Sequence, residues 1–208
     1  MKKGICVIIA GGDVQEKISI TENSSVICAD GGYRHALAQN IKPDVLIGDF
    51  DSYTGELPKD IEIIRYPAEK DVSDTWACVK YAKLHECRYF HIYGAFGGDR
   101  IDHSIANLQL IRRMAEENLD FTMFYKNQKI MNLNAGYELW LRPEPNSYFS
   151  VFALSDTCKG VTIKGAKYPL ENAELKNNFP LGLSNESTGE DLEISVEEGN
   201  LLVVMTEK

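Results

Sequence analysis

The sequence has few basic residues, no long apolar run and no paired cysteine motif. Its 22 lysine and arginine residues face 31 aspartate and glutamate residues, and the net charge of −9 argues against nucleic acid or an anionic membrane as the main partner. No apolar run approaches the roughly 20 residues that a membrane-spanning helix needs. The five cysteines are odd in number and show no C-x-x-C spacing, so we expect a reducing, cytoplasmic location.

The N-terminal segment has two lysines and a short apolar run, so a signal peptide has to be considered. The run over 5–10 is too short for the core of a signal peptide, and it leads directly into Gly11-Gly12-Asp13. We interpret the run as a first strand and Cys6 within it as a small core residue.

The first part of the chain alternates apolar runs with helical patterns. The 208 residues suffice for one large domain or two small ones, with no low-complexity linker and no internal repeat. The alternation predicts an α/β domain over 1–126, Rossmann-like, with a mainly parallel sheet and helices on both faces. Strands are predicted over 5–10, 25–29, 45–47, 61–65, 89–93 and 121–125, and helices over 33–40, 73–86 and 101–117. The last helix has one apolar face, formed by Ile101, Ile105, Leu108, Ile111 and Ala115.

The remainder of the chain, 127–208, has no convincing helical period. Short strand candidates follow one another there, separated by turn signals such as Asn134-Ala135-Gly136 and Glu198-Gly199-Asn200. This pattern predicts a second domain that is a small β-sandwich or barrel. The strand candidates are 129–133, 137–142, 148–154, 159–164, 191–196 and 200–206.

Two carboxylates follow the third predicted strand. Asp49 and Asp51 are separated by one residue, so they point to the same side if the chain stays extended. Two carboxylates that close repel each other, and a divalent cation, most naturally Mg²⁺, resolves that repulsion. The alternative is an ordinary strand-to-loop turn in which Asp49 starts the turn and Asp51 caps the next element of the chain.

Other strands of the first domain also end in aspartate and glycine. In an open parallel sheet, ligands bind outside the carboxyl ends of the strands, so we expect these loops to converge on one cleft. Several acidic loops at one sheet edge favour a site for phosphate plus metal over a purely structural role. The loops are Gly11-Gly12-Asp13, Asp30-Gly31-Gly32, Gly48-Asp49-Phe50-Asp51, Lys70-Asp71-Val72-Ser73-Asp74 and the segment 94–103.

The polar residues and glycines of these loops could also have purely structural roles. Arg100 suits bidentate phosphate binding but could be a surface residue, and Asp99 could cap a helix. His103 more readily bonds a neighbouring carboxylate than transfers a proton. Lys70 is either a phosphate contact or a solvated loop residue. The glycine-rich segment 94–98 matches no established phosphate-loop pattern and could be a plain strand-to-helix turn.

Taken together, the motifs resemble the thiamine pyrophosphokinase family, over most of the chain from about Cys28 to Glu186. The ordered set is much more specific than any one motif. It comprises Ala29-Asp30-Gly31-Gly32, Pro43-Asp44, Gly48-Asp49-Phe50-Asp51-Ser52, Lys70-Asp71-x-x-Asp74, Arg100-x-Asp102-His103 with Asn107, Gly165-x-x-Tyr168-Pro169-Leu170 and Ser184-Asn185-Glu186. Two departures are Ser73, where the family usually has threonine, and Asp99, inserted before Arg100.

The resemblance implies a Mg²⁺-dependent transfer of pyrophosphate from ATP to the hydroxyethyl oxygen of thiamine, with release of AMP. It implies a homodimer in which thiamine lies between the α/β domain of one subunit and the β-domain of the other. The implied metal ligands are Asp49, Asp51, Asp74 and Asp71, and the implied catalytic set is Asp49, Asp51, Asp74, Arg100 and Asp102. On the ATP side the resemblance implies Asp30, Gly31, Gly48, Lys70, Asp71 and His103, and on the thiamine side Ser184 and Asn185. The carboxylate that accepts the alcohol proton stays open between Asp74 and Asp51.

Two other functions compete with this one. A metal-dependent nucleotide-sugar transferase also uses Asp-x-Asp after a strand, but that function leaves Lys70-Asp71-x-x-Asp74 and the Ser184-Asn185-Glu186 stretch unexplained. A non-catalytic nucleotide-binding module is disfavoured, because mutually repelling carboxylates without a cation cost stability.

Overall fold

The structure is a computed structural model that describes residues 4–50, 53, 55–66 and 72–206. Three predicted site residues, Asp51, Lys70 and Asp71, lie outside the described residues. The chain divides into two compact units, one formed by 1–110 with 123–126 and the other by 111–122 with 127–208. A functional division at 126/127 stays a prediction.

The first unit contains five parallel strands in the order β5-β1-β2-β3-β4. The strands β1, β2 and β3 are buried along their whole length, which explains their unbroken apolar sequences. The strands are β1 (Cys6–Ile9), β2 (Ser25–Ala29), β3 (Val45–Gly48), β4 (Glu62–Arg65) and β5 (Tyr89–Tyr93); the helices of this part of the chain are α1 (Gly32–Ala38), α2 (Asp74–Leu84) and α3 (Ile101–Glu116).

These elements agree closely with the sequence-based prediction. The strands at 25–29 and 89–93 have the predicted bounds, and the other elements of the first unit differ by one to three residues at their ends. Helix α2 begins directly after Ser73, which caps it, since the Ser73 hydroxyl accepts a hydrogen bond of 3.2 Å from the Trp76 N–H.

The first half of the apolar face of α3 is exposed rather than buried. Ile101, Ile105 and Leu108 are 73%, 52% and 49% exposed. The buried side there instead carries the polar residues Ser104 and Asn107, which bond to the preceding loop. Helical spacing alone therefore identified the helix but not the side that it buries.

The second unit is built from antiparallel strands. One group pairs in the order β7-β14-β9-β12, and the other in the order β8-β13-β10-β11. Both groups contribute to one apolar core, for example through Phe149, Ile163 and Val203. The strands are β6 (Asp120–Tyr125), which is divided between the units, β7 (Gln128–Leu133), β8 (Glu138–Leu141), β9 (Tyr148–Ala153), β10 (Thr157–Lys164), β11 (Leu170–Lys176), β12 (Gly182–Glu186), β13 (Leu192–Ser195) and β14 (Leu201–Thr206).

Two of these strands, β11 and β12, were missed in the sequence. Their exposed and polar residues give no clear alternation, and β12 contains the Ser184-Asn185-Glu186 stretch that also reads as a turn. The described residues thus form a mixed α/β protein with few helices, a large mixed sheet and a second, antiparallel sheet. Among them, no helix has the length and apolar character needed to cross a membrane.

Candidate active site

The first unit contains a cleft of about 400 Å³ at the carboxyl ends of its parallel strands. Its walls come from the loops after β1, β2 and β5 and from the first turns of α2 and α3. Six predicted site residues line it, which are Asp30, Gly31, Asp74, Arg100, Asp102 and His103. Loops as far apart in the sequence as those of Gly12 and Gly94 therefore meet at one sheet edge, as the strand topology predicts.

Other predicted residues are not among those that line this cleft. Gly48 is the last residue of the neighbouring strand β3, and Asp49 follows it in the chain. Ser184 and Asn185 belong to the second unit.

Asp30 connects the end of β2 to the turn after β3. Its carboxylate accepts a 3.1 Å hydrogen bond from the Phe50 N–H, and a Cβ on Gly48 would lie 3.0 Å from the Asp30 Cα. Both Asp30 and Phe50 have left-handed backbones, with φ of 42° and 60°. Such conformations cost free energy in non-glycine residues, so the hydrogen bond helps to hold the turn that carries Asp49.

A second contact to this turn comes from Arg65, the last residue of β4. Its guanidinium lies 3.5 Å from the Asp49 carbonyl oxygen and 5.6 Å from the centre of the Phe50 ring. Sequence analysis did not identify Arg65, since an arginine at a strand end carries no motif of its own.

The glycine-rich loops after β1 and β5 pack directly on each other. The Gly12 N–H donates to the Gly94 carbonyl oxygen at 2.8 Å, and the Asp13 N–H donates to the Phe96 carbonyl oxygen at 2.8 Å. A Cβ on Gly12 would lie 2.6 Å from the Gly94 oxygen and closer still to that of Phe96. Glycine at position 12 is therefore required by a close backbone approach.

Two buried polar residues of α3 hold the loop after β5. The Ser104 hydroxyl accepts a 3.2 Å hydrogen bond from the Gly97 N–H, and the Asn107 amide donates to the Ala95 carbonyl oxygen at 2.6 Å. Asn107 was part of the matched motifs, whereas Ser104 was missed. Together they fix the loop that leads to Arg100.

Arg100 and Asp102 form a bidentate ion pair at the start of α3. The Arg100 Nε lies 3.2 Å from one carboxylate oxygen, and Nη2 bonds the other. This hydrogen bonding lowers the pKa of Asp102 from its ordinary value and raises that of Arg100. Both side chains are exposed to the cleft, and Arg100 reaches it despite the preceding Asp99.

The first turn of α2 also contributes to the cleft. Asp74 is its first residue, and the adjacent Ser73 uses its hydroxyl to cap the helix. Serine in place of the family's usual threonine therefore keeps the hydroxyl that positions Asp74.

In the second unit, hydrogen bonds connect two of the matched motifs, the one that contains Asn185 and the one that contains Tyr168. The buried Asn185 amide accepts from the Tyr168 N–H at 3.1 Å and donates to the Tyr168 carbonyl oxygen at 2.7 Å. Ser184 is exposed and has a left-handed backbone, with φ of 57°. Asn185 thus positions the segment that carries Tyr168, and its contact with thiamine stays a prediction.

Two residues of α1 were also missed. Arg34 lines the cleft, and the His35 Nε2–H donates a 2.8 Å hydrogen bond to the Gly12 carbonyl oxygen. The signal available in the sequence was their position two and three residues after Asp30-Gly31-Gly32.

The described residues contain no preformed group of three or more side chains suited to hold a metal ion. Of the four predicted ligands, Asp49 and Asp74 are described, and they do not line the cleft together. The carboxylate oxygens of Asp30, Asp74, Asp99 and Asp102 are nevertheless the donors that Mg²⁺ prefers.

Comparisons with family models and with a curated protein identify the same family. The model of the thiamin pyrophosphokinase catalytic domain matches residues 17–123, and that of the thiamin pyrophosphokinase vitamin B1 binding domain matches residues 137–201. The thiamine pyrophosphokinase of Bacillus subtilis (strain 168) is 30% identical over an alignment of 188 residues that covers 86% of this chain and 87% of that protein.

Solved structures agree with this result. The crystal structure of the Bacillus subtilis thiamine pyrophosphokinase superposes with a TM-score of 0.86 at 25% identity, covering 99% of this chain and 100% of the other. That of the Geobacillus thermodenitrificans thiamin pyrophosphokinase has a TM-score of 0.81 and covers 99% and 98%, and at 24% identity it supports the fold alone. The chain therefore belongs to the thiamine pyrophosphokinase family of transferases.

Proposed function

We propose that the protein transfers the pyrophosphoryl group of ATP to the hydroxyethyl oxygen of thiamine, giving thiamine diphosphate and AMP. The observation that carries the proposal is the cleft in which Asp30, Asp74 and the Arg100–Asp102 pair meet, in a chain of this family. In the reaction the thiamine oxygen bonds to the β-phosphorus, the bond from that phosphorus to the α-phosphate oxygen breaks, and AMP leaves.

The chain's own residues mainly position the reactants and balance charge, as is usual in phosphoryl transfer. Arg100 binds phosphate oxygens through its guanidinium, and Asp102 holds that guanidinium in a fixed orientation. The proton of the thiamine alcohol passes to a carboxylate, for which Asp74 and Asp51 are both candidates. Gly94, Ala95, Gly97 and Gly98 line the cleft with little side-chain bulk and so leave room for phosphate groups.

We further propose Mg²⁺ as the metal, held by Asp49, Asp51, Asp74 and Asp71 with phosphate oxygens completing its coordination. When bound, the ion would neutralise charge on the phosphates. The chemistry of the donor set supports this proposal, since acidic side chains dominate the charged lining of the cleft.

For thiamine we propose a site that includes Ser184 and Asn185 and is completed in a homodimer. Support for self-association comes from the exposed side chains of Ile101, Ile105 and Leu108 on α3, because contiguous apolar surface commonly marks an interface. We also propose a Rossmann-like catalytic domain at 1–126 and a β-sandwich thiamine-binding domain at 127–208. A cytoplasmic location is supported by the five buried cysteines, none of which forms a disulfide.

The test is incubation with ATP, thiamine and Mg²⁺ with AMP and ADP resolved. Release of one AMP for each thiamine consumed is expected. A nucleotide-sugar transferase would instead consume a nucleotide diphosphate sugar, and a binding module would bind ATP without turnover; either result would contradict the proposal.

A further inference from the structure

Arg34 is a second arginine at the cleft, and the resemblance assigned it no role. It lies in α1, two residues after the Asp30-Gly31-Gly32 turn, and lines the same cleft as Arg100. The two guanidinium groups reach the cleft from different strand ends, since Arg34 follows β2 and Arg100 follows β5.

The charges of the cleft make Arg34 unusual. Its described lining contains four carboxylates and two guanidinium groups, those of Asp30, Asp74, Asp99, Asp102, Arg34 and Arg100. Arg100 is bonded bidentately by Asp102, so much of its charge is already neutralised. Within the described part of the chain, the Arg34 side chain bonds only a carbonyl oxygen, that of Gly31, at 3.4 Å.

An arginine in this setting is suited to bind an anion. A carbonyl oxygen at that distance orients the guanidinium without neutralising it, and the planar group can still donate to phosphate oxygens. A triphosphate entering a cleft with more carboxylates than guanidinium groups needs such a cation in addition to any metal ion.

The backbone around Arg34 fixes where its side chain lies. The His35 side chain bonds the Gly12 carbonyl oxygen at 2.8 Å, which ties α1 to the loop after β1. A Cβ added to Gly31 would lie 3.1 Å from Arg34 Nη2, so even an alanine there would press on the guanidinium.

We propose that Arg34 is a second binding residue for the triphosphate chain of ATP, acting beside Arg100. The inference rests on the proposed function for the identity of the nucleotide, and it extends that function to a residue outside the family motifs. Arg34 contacts the phosphates and not the thiamine, so it affects ATP and thiamine differently.

The experiment compares Arg34→Gln, Arg34→Lys and Arg88→Gln with the wild-type protein. Arg88 is an exposed arginine of the first unit that does not line the cleft, so its variant removes the same charge elsewhere. Arg34→Gln should raise the KM for ATP about tenfold, which is the scale of one charge-assisted hydrogen bond, and leave the KM for thiamine unchanged. Arg34→Lys should recover part of the loss, and Arg88→Gln should behave as wild type.

Direct binding of ATP, AMP and inorganic tripolyphosphate by calorimetry identifies the contacted group. Arg34→Gln should weaken ATP and tripolyphosphate alike and affect AMP less. An unchanged affinity for both polyphosphates, or equal losses for ATP and AMP, would overturn the inference.

The same data separate this inference from the proposed function. If the wild-type protein converts thiamine but Arg34→Gln keeps the ATP affinity, only the Arg34 inference fails. If thiamine is not converted but Arg34→Gln loses ATP affinity, only the proposed reaction fails. Coincident thermal unfolding of the variants and the wild type shows that the fold is kept.

Discussion

At the scale of single residues, Asp30 has two separable tasks. Its carboxylate lines the cleft, and one of its oxygens accepts from the Phe50 N–H in the turn after β3. Asparagine keeps an oxygen acceptor and tolerates the left-handed backbone found at position 30, whereas alanine does neither.

We therefore expect Asp30→Ala to lower the free energy of unfolding by about 1–3 kcal/mol, and Asp30→Asn to change it much less. Both variants should lower activity, because both remove a charge from the cleft. Urea unfolding combined with the activity assay checks this. Equal stability losses for the two variants would contradict the structural task.

The carboxylates after β3 give a second prediction at this scale. Asp49→Asn and Asp51→Asn should each lower kcat by roughly two orders of magnitude or more, since a metal ion supplies several kcal/mol of charge stabilisation. Neither should unfold the protein, because removing one carboxylate relieves repulsion. Steady-state kinetics at varied Mg²⁺ tests this, with circular dichroism as the folding control. A fully active variant would exclude that carboxylate from the metal site.

At the scale of elements, the loops after β1 and β5 act as one packed unit. Gly12→Ala should destabilise the protein by about 1–3 kcal/mol, because its Cβ would meet the Gly94 and Phe96 carbonyl oxygens. Gly11→Ala is the matched control for stability, since its Cβ would find its nearest neighbour at 3.7 Å. Thermal unfolding measures the stability of both variants. Similar unfolding temperatures for Gly12→Ala and Gly11→Ala would show that the two loops do not pack as closely as the structure indicates.

The elements that sequence predicts well are those with a single strong local signal. β1, β2 and β3 are unbroken apolar runs because both faces are buried, and α2 begins at a serine cap. The buried side of α3 was not predictable from its apolar residues. That side carries Ser104 and Asn107, which form hydrogen bonds to the loop after β5, and this contact exists only in the folded protein. β12 was missed because its polar residues read equally well as a turn.

At the scale of the whole molecule, the exposed side of α3 bears on self-association. If the proposed homodimer forms through this surface, Leu108→Glu should convert it to monomer and lower its activity, since a charge in an apolar interface is costly. Leu84→Glu is the matched control, because Leu84 is 83% exposed on α2 and lies outside the α3 surface. Light scattering during size-exclusion chromatography measures both. A wild-type monomer with full activity would refute the dimer.

The placement of candidate site residues was predictable from the sequence where the strand topology alone determines it. The rule that ligands bind at the carboxyl ends of parallel strands correctly joined Asp30, Asp74, Arg100 and Asp102 from distant parts of the sequence. Contacts between loops were not predictable, because Arg65 reaches the Phe50 ring and His35 reaches Gly12 only after folding. The motifs therefore identified several residues that line the cleft, but not these contacts between loops.

The most direct test of the central claim follows the γ-phosphate of labelled ATP into the product while AMP is quantified. The account predicts that the label appears in thiamine diphosphate and that AMP forms in equal amount, without labelled inorganic phosphate. Label recovered in thiamine monophosphate together with ADP would show transfer of a single phosphoryl group, and would contradict attack at the β-phosphorus.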